Sequence, residues 1–418
     1  MPNEPTRREF LRAATVAGAA TAMSMSAASY ARVIGANDRI GVGIIGCGDR
    51  GRGAHMPGLH RYDKEQNAQI MAVCDPWKKV REEAVAMTKD WYGQEAKAHT
   101  SFRQMIADPN VDAVMIAAPD HHHTNALTAA AEAKKDAYCE KPLANSMSAL
   151  NSTVDAVKAS GIVVQVGTQL RSMPSMTGAR ELYKTGVLGK VGRIEQQRNG
   201  TRPFWYSRLK DTREEDVDWK EFLGDVPYEP FSSDRYSGWY GYRSFCNGLI
   251  PQFGSHYLDL VHYITGATFP TSAVALGGTF TWKDEHKFDV QDQTQCLWIY
   301  PEDFLVTYST YFGNGNGSTF KIFGDKATMD LLEWEHPTIT SEGAEKPDGR
   351  IKDKKAIDEV PMPDHILDWL QCIRTRKTPN ASIDAGCQHA VAALMGVMAC
   401  ESGKRMIYDP AKREIREG

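Results

Sequence analysis

The sequence predicts an α/β protein in two parts. A doubly wound parallel sheet comes first, followed by an α+β domain with a large, mainly antiparallel, open-faced sheet. Three observations predict it. From Ile40 onward, short apolar runs rich in β-branched residues alternate with helix-like stretches, and strands apolar on both faces with helices between them belong to a buried parallel sheet. After Gln169 the alternation stops, and strand-like runs follow one another across short turns such as Pro301-Glu302-Asp303 and Asn314-Gly315-Asn316-Gly317, the signature of antiparallel pairs. Finally, 418 residues with 42% hydrophobic and 24% charged side chains suffice for two cores of ordinary size.

In chain order, the strands expected in the first part are Ile40–Ile45, Ile70–Cys74, Ala113–Ala117, Ala137–Cys139 and Ile162–Val166. Helices are expected over Val80–Lys89, Ser101–Ala107, Ala126–Ala133 and Ser146–Ala159. The second part opens with a helix, Met173–Lys184, and a strand, Arg193–Gly200. A long irregular stretch rich in Trp, Tyr, Arg and Gly follows, from Thr201 to Asn247. Then come a helix over Pro251–Ile264 and strands at Ser272–Thr281, Thr294–Tyr300, Phe304–Phe312, Ser318–Phe323 and Thr328–Leu332. Two amphipathic helices, His365–Arg374 and Asp384–Ser402, close the chain.

Ahead of all this stands a twin-arginine leader, Thr6-Arg7-Arg8-Glu9-Phe10-Leu11-Arg12, with small-residue cleavage candidates near Ala28 or Ala31. It predicts a periplasmic or secreted protein exported in the folded state. The expected division is 1–37 leader and linker, 38–168 parallel-sheet domain and 169–418 α+β domain. In that division the last helices are free to pack back on the first domain. Net charge is −4 and the pI about 6.3. No basic run suggests nucleic acid, and no apolar stretch after the leader reads as a membrane span. Cys47, Cys74 and Cys139 fall in the turn and strands of the parallel sheet, where small buried thiols are usual, so free thiols are expected. No cysteine spacing suits zinc, and no metal is expected.

Gly46-Cys47-Gly48-Asp49-Arg50-Gly51 lies between the first strand and a helix, the context in which G-x-G-x-x-G binds a dinucleotide in a Rossmann domain. The first glycine permits the turn, the second the approach of a pyrophosphate, and the third close packing of helix on strand. Asp75, ending the second strand, can accept hydrogen bonds from the adenosine ribose and repel a 2′-phosphate, which predicts NAD rather than NADP. A protein that folds before export must take such a cofactor with it, so a tightly held NAD is expected. Asp120-His121-His122-His123 is not a metal site on this reading, because helical neighbours point about 100° apart. Asp120 is expected to cap a helix, with one histidine facing the cleft.

Tyr138-Cys139-Glu140-Lys141-Pro142, after Pro119 and before Val166-Gly167-Thr168-Gln169-Leu170-Arg171, resembles the glucose-fructose oxidoreductase/inositol dehydrogenase/MocA (Gfo/Idh/MocA) family. The resemblance runs from about Arg39 to Pro410 and includes the Phe320–Ala327 turn and the segments His365–Lys377 and Arg405–Pro410. It implies NAD(P)-linked oxidation or reduction of a sugar or polyol and a homo-oligomer formed through the C-terminal sheet. It also implies a cofactor set of Gly46, Gly48, Asp49, Arg50, Gly51, Asp75, Pro119, His123 and Glu140. Lys141 matches the family's motif lysine, which faces substrate and nicotinamide, and His256 its catalytic histidine. Many relatives carry Asp four residues before that histidine. This chain has Gln252, an amide that can orient an imidazole but not take its proton.

By helical spacing Gln252, His256, Asp259 and Tyr263 share a face, so Gln252 and Asp259 are expected to support the site with Gln169. Arg171, Arg202, Trp205, Tyr206, Trp239, Tyr242 and Arg243 are candidates for the substrate wall, since aromatic faces stack on sugar rings and guanidinium groups bind hydroxyls. Two other functions compete with a dehydrogenase. One is a redox-neutral, NAD-assisted glycoside hydrolase or lyase, which the intact Glu140-Lys141-Pro142 disfavours. The other is a non-catalytic sugar-binding protein, which the pairing of Lys141 with His256 disfavours.

Overall fold

Six strands form the first sheet of the computed structural model, which describes residues 39–418. They are β1 Ile40–Ile45, β2 Ala68–Cys74, β3 Lys97–His99, β4 Ala113–Ile116, β5 Asp136–Cys139 and β6 Val164–Val166, ordered β3-β2-β1-β4-β5-β6 with every pairing parallel. β1, β4 and β5 are buried along their whole length, as strands covered by helices on both faces must be. The five expected strands are present within two residues at each end. The edge strand β3, with two of its three residues exposed, has no apolar run to announce it. Helices Lys78–Tyr92 and Met147–Ser160 end on left-handed Gly93 and Gly161, and the Ser146 side chain caps the start of the second. The order reverses between β1 and β4, and a crevice opens there at the carboxyl ends of the strands. The twin-arginine motif and its cleavage sites lie outside the described residues.

Ten strands form the second sheet, in the order β14-β13-β12-β11-β7-β10-β9-β8-β15-β16. They are β7 Val191–Gly200, β8 Ser272–Gly278, β9 Gln293–Ile299, β10 Leu305–Phe312, β11 Thr319–Gly324, β12 Thr328–Asp330, β13 Thr338–Thr340, β14 Lys355–Ala356, β15 Met406–Asp409 and β16 Glu414–Glu417. β7 inserts between β10 and β11 and pairs parallel with β10, so the sheet is mixed although mainly antiparallel. Helices Leu249–Thr265 and Ile383–Ser402 cover one face, where Trp298 donates to the Ala392 carbonyl at 2.8 Å and Gln196 to the Tyr257 carbonyl at 2.9 Å. The other face leaves Val274, Leu276, Leu297 and Ile299 exposed.

Helix Ile383–Ser402 corrects the expectation that nothing after the leader reads as a span. It is long and apolar enough to cross a bilayer, yet 72% of its apolar window is buried inside the protein. It also reaches the first sheet. A Cβ on Gly386 would lie 2.6 Å from Val166, and just ahead of the helix Ala381 accepts a hydrogen bond from the Val166 N–H at 2.7 Å.

The stretch 201–247 is irregular but packed. It folds into short helical turns, among them Phe204–Arg208, Trp219–Leu223, Ser233–Ser237 and Trp239–Gly241. These turns bury two aromatic clusters, one around Trp205 and Tyr206 and the other around Trp219, Phe222 and Phe245.

Candidate active site

The turn after β1 is shaped by its glycines. Gly46 holds a left-handed φ of 91°, and a Cβ there would lie 2.6 Å from the Ala117 carbonyl. A Cβ on Gly51 would fall 2.0 Å from the Gly46 carbonyl oxygen, so helix and strand meet at a distance only glycine allows. A Cβ on Gly48 would meet no protein atom within 4 Å and would stand in a cavity of about 540 Å³. Space at the second glycine and crowding at the third are what a diphosphate on this turn requires, so the residues fit NAD.

The cavity reaches from Asp75 and Trp77 after β2 to Lys141 after β5. Asp75 is buried and accepts from the Cys47 N–H at 2.7 Å, the Trp77 N–H at 2.8 Å and the Tyr236 hydroxyl at 3.4 Å. Burial raises its pKa, and the two backbone donors and Arg81 oppose the rise. Glu140 also lines the cavity, with its carboxylate 2.6 Å from Arg50 and 3.1 Å from His55. Burial would raise the Glu140 carboxyl, but Arg50, then His55 and Lys141, hold it well below the usual range. Gln169, with its amide turned to donate to the Gly167 carbonyl, accepts from Arg50 at 2.5 Å. Pro119 and His123 line the same cavity, and the His123 ring sits between the Pro142 and Ala118 carbonyls at 2.7 and 2.8 Å.

Lys141 Nζ donates to the main-chain carbonyl of Gln252 at 3.0 Å, and Lys141, Gln252 and His256 all face the cavity. Burial lowers the lysine's pKa, against the raising effect of Glu140 and Asp120. Burial and then the Lys141 charge pull His256 down to about 3, so its imidazole is neutral. His256 Nδ1 has no hydrogen-bond partner. Three expectations are corrected here. Asp120 caps no helix: it starts a 3₁₀ turn, and its carboxylate accepts from the Gln252 side-chain amide. Gln252 therefore bonds Asp120 and does not orient the imidazole. His122 as well as His123 faces the cavity, and His121 and His122 both contact the Phe222 carbonyl, at 2.7 and 2.8 Å.

Other candidates lie elsewhere. Arg171 is buried against Asp259 at 2.9 Å and donates to the Asn380 carbonyl, so it is an internal ion pair and not part of a substrate wall. Burial would raise the Asp259 carboxyl, but Arg171 and His389 bring it below its ordinary value. The expected face of helix Leu249–Thr265 exists, but its first turns point to the cavity and Asp259 and Tyr263 to Arg171. Tyr242 is buried and donates to the His286 carbonyl. Trp205 and Tyr206 belong to an aromatic cluster, Arg202 stacks on Tyr206 and Trp282, and Arg243 pairs with Glu401. Of the proposed wall, Trp239 lines the cavity, stacked on Tyr240 with ring centroids 3.6 Å apart.

Sequence reasoning missed what 201–247 brings to the site. The segment crosses the crevice and is tied to the first domain. Val217 bridges Trp77, the Asp218 N–H donates to the Pro76 carbonyl at 3.0 Å, and the His121 N–H donates to the Phe245 carbonyl at 3.1 Å. Tyr236, Tyr240, Arg208 and Lys210 enter the cavity wall from it. Its wealth of Trp, Tyr and Arg was a signal of binding, but without periodicity it did not say which residues face inward.

This fold and site define a two-domain protein with a dinucleotide-binding domain. The profile of the oxidoreductase family with an NAD-binding Rossmann fold matches residues 40–168, and that of the GFO/IDH/MocA C-terminal domain matches residues 220–330, together more than half of the chain. The chain belongs to the Gfo/Idh/MocA oxidoreductase family. It is 30% identical over 170 residues to myo-inositol 2-dehydrogenase of Thermotoga maritima, a match covering 40% of this chain and 48% of that protein. The matched stretch thus spans about half the length of this curated relative.

Two solved structures share the fold. Aldose-aldose oxidoreductase from Caulobacter crescentus, complexed with glycerol, aligns with a TM-score of 0.66 at 19% identity, over 88% of this chain and 100% of its own. The WlbA dehydrogenase from Bordetella pertussis, with NADH and UDP-GlcNAcA, aligns with a TM-score of 0.67 at 18% identity, over 89% of this chain and 99% of its own.

Proposed function

We propose that the chain is an exported, NAD-dependent oxidoreductase acting at a hydroxyl-bearing carbon of a sugar or polyol. The observation that carries this reading is that Lys141 and His256 face one cavity with the glycine turn. NAD, when bound, supplies the hydride acceptor. Oxidising an alcohol also releases the hydroxyl proton, and Lys141 is the acceptor favoured by its surroundings, because burial brings its pKa down toward working pH. His256, neutral and with a free ring nitrogen, holds the hydroxyl by a hydrogen bond. Trp239 and Tyr240 offer apolar faces to a sugar ring. Inositol dehydrogenase among the curated relatives supports a polyol or sugar substrate, Asp75 supports NAD over NADP, and Arg7-Arg8 supports the twin-arginine route. The exposed Val274, Leu276, Leu297 and Ile299 support a homo-oligomer joined through the second sheet.

The share of the cavity wall contributed by 201–247 favours, as a second reading, a redox-neutral hydrolase or lyase whose cofactor never leaves. Release of an aglycone without an external electron acceptor would select it. The test of the main reading is to isolate the protein from the exported fraction, denature it and identify the released ligand by mass spectrometry. NAD or NADH in near-stoichiometric amount is expected. Protein confined to the cytoplasm would overturn export, and protein that neither carries nor binds a nicotinamide dinucleotide would overturn the oxidoreductase.

A further inference from the structure

The glycine turn of this chain contains an awkward charge. Asp49 follows Gly48 directly and lines the cavity, so its carboxylate stands beside the space where a diphosphate would lie. Two like charges there repel unless cations intervene. The nearby cations of the turn itself are committed elsewhere. Arg50 is paired with Glu140 at 2.6 Å, and Arg52 donates to the Cys47 carbonyl at 2.6 Å and pairs with Glu83. The cations that meet Asp49 come from the second domain: Arg208 Nη1 bonds Asp49 Oδ2, and Lys210 Nζ lies 3.4 Å from Asp49 Oδ1. Both line the cavity, and both are partly exposed, with 42% and 43% of their side-chain surface accessible. Exposed pairs of this kind are weak, so the two cations can turn from Asp49 to another anion at little cost.

We propose that Arg208 and Lys210, carried over the glycine turn by 201–247, are diphosphate-binding residues of this protein, and that Asp49 holds them in place before the dinucleotide binds. The inference rests on the proposed NAD-dependent reading and deepens it. Asp49, Arg208 and Lys210 together carry one net positive charge at the glycine turn, the corner of the cavity where a diphosphate would lie. Arg208 presents a planar fork suited to two phosphate oxygens, and Lys210 adds a point charge. The segment 201–247 is also fastened at Trp77, Pro76 and His121, so it holds Arg208 and Lys210 against the cavity beside the glycine turn.

The test compares binding of ADP-ribose, which contains the diphosphate, with binding of adenosine, which lacks it, by titration calorimetry on protein freed of endogenous ligand. In Arg208→Ala/Lys210→Ala, ADP-ribose affinity should fall roughly ten- to a hundredfold, as loss of charge-assisted hydrogen bonds does, while adenosine affinity stays unchanged. NADH release, followed by its fluorescence, should speed up in the same variant. Asp49→Asn should bind ADP-ribose more tightly than the natural protein, because the cations lose a competitor. A double variant that binds ADP-ribose as the natural protein does, or that loses ADP-ribose and adenosine equally, overturns the proposal and leaves the NAD-dependent reading intact. Natural protein that binds neither NAD nor ADP-ribose overturns both.

Discussion

At Lys141 the sequence motif and the electrostatics converge on one atom, the Nζ that donates to the Gln252 carbonyl. A base must be neutral to act, so the rate should rise with pH through the Lys141 pKa, which burial lowers from the ordinary lysine range. His256, at about 3, is neutral throughout the working range and contributes no limb near neutrality. Lys141→Ala should therefore lower turnover by about 10² or more and abolish the rising limb, as loss of a positioned base does. His256→Ala should lower turnover but keep the limb. A limb that persists in Lys141→Ala and vanishes in His256→Ala would assign the base to the histidine. Lys141 and the glycines were legible because their chemistry travels with a local motif at fixed offsets. Asp120 was not, because its partner Gln252 is 132 residues away and nothing in either segment announces the other. Arg171 misled for the opposite reason: composition suggested a substrate contact where the fold needed a counter-ion for Asp259.

Helices and strands were easier to read than their neighbours in space. Helix Leu249–Thr265 was expected from its apolar spacing, and its polar face is real, but periodicity cannot say what that face meets. Half of it meets the cavity and half meets Arg171. The ion pair there gives a stability prediction. Asp259→Asn leaves a buried Arg171 without its counter-charge, which costs about 3–5 kcal/mol and should appear as a lower urea midpoint at neutral pH. The Asp259 carboxyl is held below its ordinary value, so its stabilising contribution is present above the unfolded-state pKa and is lost as pH falls through the folded one. The gap between the natural protein and the variant should accordingly close in acid. A variant as stable as the natural protein at pH 7 would show that the pair is dispensable. Among strands, β7 was expected, but its seat beside β10 was not. Strands read in order suggest antiparallel neighbours, and the parallel β7–β10 pair joins runs more than a hundred residues apart. β13 to β16, two to four residues each, are too short to carry a pattern.

On the scale of the whole molecule the second sheet is dry on one side and apolar on the other. Val274 and Leu297 are direct cross-strand partners, both exposed, with Leu276 and Ile299 beside them. The homo-oligomer proposed above would pack on this apolar ladder. Leu297→Glu should convert an oligomer into a monomer, seen by sedimentation, with the far-ultraviolet spectrum unchanged. A natural protein that already sediments as a monomer would remove the oligomer from the reading. The two-part architecture was legible because the change of texture at Gln169 is a change in hydrophobic period. The crossing of 201–247 over the crevice was not, because it is built from single long-range contacts such as Asp49 with Arg208, 159 residues apart.

On the export proposed above, helix Ile383–Ser402 matters beyond the core. In the folded protein its apolar surface is spent on both sheets. A chain threaded unfolded through a membrane pore would present the same twenty residues as a stop-transfer sequence, since length and hydropathy are what such machinery reads. Passage would then risk arrest with the last strands, β15 and β16, on the wrong side and the second sheet missing its edge. Tertiary structure formed beforehand hides the segment, so for this chain a folded cargo is also one that cannot be mistaken for a membrane protein.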